Sequence, residues 1–115
     1  MRRALSTVLL VVLGCQGPGK EPMTAAQELR SICDDSWEAV LRENPTYATY
    51  LGDFRYNDRL TDISDAGRAR RRALNEGFLD RLRKLDAASL DENDRVTADI
   101  LRLQLEQALE EERHK

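Results

Sequence analysis

The sequence of 115 residues is poor in the side chains that usually announce chemistry: one His, two Cys, one Trp, and no Gly-rich loop closing on Lys-Ser or Lys-Thr. One imidazole and two thiols cannot build an ordinary zinc site, and phosphate-cradling nucleotide chemistry has no motif to stand on. Cationic excess is also lacking, with 18 Lys and Arg against 21 Asp and Glu and a net charge of −3. Without a basic field there is little to neutralise phosphates, so no nucleic-acid partner is expected. Long apolar runs are absent too. A permanent membrane span takes about 20 consecutive residues, and the longest run here, residues 4–13, reaches half of that. At this length the chain holds one domain at most.

What is present begins with an address. Arg2 and Arg3 precede the apolar run Ala4 to Leu13, the layout of a secretory signal. The run ends in Val12-Leu13-Gly14-Cys15, which resembles a bacterial lipobox, with an aliphatic residue at −3, a small one at −1 and Cys at +1. That resemblance implies a signal peptide over 1–14, cleavage before Cys15, a diacylglycerol on its sulfur and an acylated new amino terminus. Several acyl chains hold a protein far more firmly than one, at about 0.8 kcal/mol per buried CH₂, so the expected partner is a membrane, met through lipid. Gln16 at +2 is not the Asp of an inner-membrane retention signal. The expected place is therefore the bacterial envelope, at the periplasmic face of the outer membrane where the host has two membranes. Removal of the two arginines leaves a net charge of −5.

Residues 15–22 supply two Gly and two Pro and no aliphatic residue, the composition of a flexible tether, and ordered structure is expected over 23–115. With Cys15 lipidated, Cys33 has no partner within the chain, so a disulfide framework is excluded and Cys33 reads as a small apolar residue. Thr24-Ala-Ala-Gln27 reads as a capping box opening a first helix. Leu29, Cys33, Trp37, Val40 and Leu41, flanked by Ile32 and Ala39, recur at three- and four-residue steps until Asn44-Pro45 stops them. Asn44 as cap and Pro45 at the first position predict a short second helix to Leu51, closed by Gly52. Asp53 to Ile63 has no period and reads as an ordered loop. Ser64 or Asp62 caps a third helix with a stripe of Ala66, Leu74, Phe78, Leu82 and Leu85, and Asp91 caps a fourth with Val96, Ile100, Leu101, Leu103, Leu105 and Leu109. The fold class is all-α, with about four helices, the last two an antiparallel hairpin. Only 22 large apolar residues follow position 22, a thin supply for four helices. The surplus face of the fourth helix, Val96, Ile100 and Leu103, is expected to want a protein partner or a missing carboxy-terminal region.

The run Asn44-Pro-Thr-Tyr-Ala-Thr-Tyr-Leu-Gly-Asp53, continued by Phe54-Arg-Tyr-Asn-Asp-Arg-Leu-Thr-Asp-Ile-Ser64, is more specific than composition. With Trp37 upstream and Leu82, Leu85, Asp86, Leu90, Arg95 and Asp99 downstream, it resembles the amino-terminal end of the bacterial domain-of-unknown-function family 885, over Glu28 to Leu105. The resemblance implies an envelope lipoprotein, almost wholly helical, whose full-length relatives look like zinc metallopeptidases through a His-Glu pair and a further His far downstream. That part is absent, so no catalytic residue carries over and zinc is expected only for full-length relatives. As written, the chain is expected to have no hydrolase activity and to correspond to the first helices of a larger domain. Phe54 departs from the pattern, in which His is frequent at that place.

Tyr47, Tyr50, Phe54, Arg55 and Tyr56 gather aromatic and cationic groups that can line a binding surface, although packing of the short helix and loop accounts for them more simply. Arg55, Asp58, Arg59 and Asp62 alternate in sign and read as local ion pairs. Arg68, Arg70, Arg71 and Arg72 could touch anionic headgroups, but the acids around them favour a solvated helix face. Asp91, Glu92 and Asp94 sit where a helix's first turn prefers negative charge, so capping outweighs a paired-carboxylate site.

Overall fold

The computed structural model describes Gly19 and residues 21–114. Residues 1–18 lie outside it, and with them the expected signal peptide, Cys15 and most of the expected tether. The described residues form four α-helices and no strand: α1 (Ala25–Glu43), α2 (Pro45–Tyr50), α3 (Asp65–Arg83) and α4 (Glu92–Arg113), with one 3-10 turn at Ala87–Ser89. The all-α expectation holds. No helix among the described residues is long and apolar enough to cross a membrane.

Local chemistry sets the ends. Thr24 Oγ1 accepts from the Gln27 amide at 3.2 Å while the Thr24 amide donates to Gln27 Oε1 at 2.9 Å, a reciprocal capping box. Ser64 accepts from the Gly67 amide and Asp91 from the Asp94 amide, so each longer helix starts on a side-chain acceptor. Asn44 departs from expectation. It stands at the junction with Pro45 behind it, but its side chain makes no cap for α2 and donates back to the Val40 carbonyl at 2.9 Å, closing α1 instead. Gly52 takes φ +86°, the left-handed conformation that lets the chain leave α2 cheaply.

Ion pairs fix the directions. Arg70 near the start of α3 meets Glu43 at the end of α1, and Arg81 near the end of α3 meets Glu28 at the start of α1, so these helices run antiparallel. Arg71 and Arg72 lie 3.8 and 3.9 Å from the Glu112 carboxylate at the far end of α4, giving the expected antiparallel hairpin. It follows that α1 and α4 run parallel, both laid on α3. The core between them is Leu29, Ile32, Leu79, Leu82, Leu90 and Leu105.

The α1 stripe shifts from where periodicity put it, and the α3 stripe stands as expected except at one residue gained and one lost. On α1 the buried line is Leu29, Ile32, Ser36 and Ala39, while Trp37 and Val40 stand exposed and Cys33 is half-buried. On α3, Leu79 is buried and Ala66 is exposed. On α1 the bulkiest side chain of the expected stripe, Trp37, is turned outward, whereas on α3 the expected Leu82 is buried and Phe78 and Leu85 pack half-buried against the core. Ser36 tolerates burial because its hydroxyl donates to the Cys33 carbonyl at 2.9 Å.

Candidate functional site

The loop from Asp53 to Ile63 is held to α1 by one cluster. The Arg55 guanidinium donates through Nη1 and Nη2 to both Glu38 carboxylate oxygens, each at 2.9 Å, and through Nε to Asp53 at 3.0 Å. The Tyr56 hydroxyl donates to the same Glu38 carboxylate. Arg55 and Arg59 lie over the Tyr56 ring, 5.1 and 4.9 Å from its centre. Of the alternating charges, Arg55 is thus an ion-pair anchor, Arg59 a ring contact, and Asp62 accepts from the Ser64 amide at 3.0 Å and stands 3.5 Å from Arg70.

These contacts move the acids in one direction. Donation from Arg55 and then Tyr56 holds Glu38 below the usual carboxylate range, Arg55 does the same to Asp53, and Ser64 does it to Asp62. Facing Glu38, the Tyr56 phenol is pushed up. A carboxylate held low in the folded chain stabilises it above its unfolded pKa and withdraws that support as pH falls through the folded one. Thermal stability should therefore be flat at neutral pH and fall below about pH 4. In Glu38→Gln the fall should be shallower; a melting profile as steep as that of the parent chain would show that the cluster plays no part.

The aromatic surface proposed at Tyr47, Tyr50, Phe54, Arg55 and Tyr56 is divided among different tasks. Arg55 and Tyr56 belong to the Glu38 cluster. Tyr47 stacks edge-on against Trp37 at 6.4 Å, while Tyr50 and Phe54 are 84% and 66% exposed. The basic run is a largely solvated face paired with the acids around it, as expected: Arg68 pairs with Asp65, Arg70 with Glu43, and Arg71 donates to the Asp62 carbonyl at 2.7 Å.

A second feature escaped the sequence reading as a unit. Between α1 and α4, with α3 as its floor, runs a groove of about 640 Å³. Trp37 and Val40 form one wall, Ile100, Leu101 and Ala108 the other, and Leu74 the base. Glu43, Glu111, Glu112 and Arg71 close one end. Ile100 on that wall is 53% exposed and, beyond the rim, Val96 and Leu103 are 52% and 55% exposed, which makes α4 apolar on a side that no described residue covers. Cys33 also lines the groove, and burial first, then Asp34 and Asp94, push its thiol up, away from the reactive thiolate.

Zinc does not fit the residues present. His114, at the end of α4, is exposed with Glu110 at 3.0 Å and no second imidazole in the chain, and among the described residues no three His, Cys, Asp or Glu are grouped to hold a metal ion.

A sequence model described as a bacterial protein of unknown function, DUF885, matches residues 45–115. The match takes in the Pro45 to Ser64 run and both hairpin helices, and leaves out α1, where the resemblance had rested on Trp37. No curated protein and no solved structure matches the chain.

Proposed function

The chain belongs to DUF885, the family of bacterial proteins of unknown function, and on that premise we propose that it is a lipid-anchored docking platform of the cell envelope. Its helices correspond to the amino-terminal, non-catalytic part of a metallopeptidase-like protein and do no hydrolysis by themselves. The observation that carries the reading is the uncovered apolar side of α4 with Trp37 and Val40 opposite it, a surface that a water-facing monomer of this size has reason to bury. Either the remainder of such a protein or a separate polypeptide can fill it. The Val12-Leu13-Gly14-Cys15 ending supports the anchor, and Gln16 supports the outer membrane, at its periplasmic face.

Two experiments test the two halves. Intact mass of the protein extracted from native membranes should show cleavage before Cys15 and added acyl chains, and Cys15→Ser should move the chain from the membrane to the soluble fraction. A full-length mass without lipid overturns the anchor. Gentle detergent extraction should bring either a longer form of this protein or a stoichiometric second polypeptide that Ile100→Asp loses while helical circular dichroism is kept; recovery of the 115-residue chain alone, or retention of the second polypeptide by that variant, overturns the platform. Chelator-sensitive peptidase activity of the purified chain would overturn its non-catalytic assignment.

A further inference from the structure

We draw no further inference here: the strongest candidate, the apolar groove between α1 and α4 walled by Trp37, Val40 and Ile100, carries nothing beyond the docking surface already described, because nothing in the structure shows what covers it.

Discussion

Replacing Ile32 with alanine should remove about 2–5 kcal/mol of stability, because the lost methyl and methylene groups leave a cavity that packed neighbours cannot fill. Ile32 is 0% exposed and sits in the one cluster that joins all three long helices, with Leu29, Leu79, Leu82, Leu90 and Leu105. For a domain of this size, each kcal/mol displaces the melting temperature by about 4–8 °C, so thermal denaturation followed by circular dichroism should register a fall of more than about 10 °C. Ile100→Ala is the control. Its side chain already stands half in water, and its stability should change by no more than about 0.5 kcal/mol. Equal effects at the two positions would mean that the interior lies elsewhere.

Gly67→Ala and Gly77→Ala should act with opposite signs although both are helical glycines in α3. At Gly77 nothing lies within 4 Å of an added Cβ, so alanine should gain the ordinary propensity difference of about 0.5–1 kcal/mol. At Gly67 the same atom would press on the Asp62 carbonyl oxygen and come within 2.6 Å of its Cγ. Asp62 belongs to the loop end that receives the Ser64 amide and the Arg71 guanidinium, so the clash cannot be relieved by one flexible side chain. The loss should be about 1–3 kcal/mol, as for an overpacked interior. Paired urea titrations measure both; a stabilised Gly67→Ala would show that the loop end gives way freely.

The division between what could be read from sequence and what could not follows the range of the interactions. Capping by Thr24, Gln27, Ser64 and Asp91, the stop at Asn44-Pro45 and the left-handed Gly52 are settled within a few residues and were legible. The outward turn of Trp37 and the burial of Leu79 were not, because both depend on how α1 rotates against α3. Periodicity locates an apolar arc but not which edge of it meets another backbone. The groove was half legible. Val96, Ile100 and Leu103 were expected to be bare from the arithmetic of α4, whereas Trp37 and Val40 join them only once α1 is laid parallel to α4. Glu38 was invisible beforehand: it is one acid among many until a loop 17 residues downstream brings Arg55 to it.

The pairing of α1 with α3 also has a mechanical side. The chain's amino-terminal end leads directly into α1, so a pull from that side is delivered to this helix before any other. Because α1 lies antiparallel along α3, the load runs along the interface as shear and falls on crosslinks together instead of opening them one by one. Arg81, holding Glu28 at 2.9 Å, Asp35 at 2.6 Å and Ser31 at 3.1 Å, is the first rivet in that seam, and Arg70 on Glu43 is the last. Drawing α1 away would also uncover Leu79, Leu82 and Leu105, which Leu29 and Ile32 bury, so the hairpin of α3 and α4 would not outlast the seam.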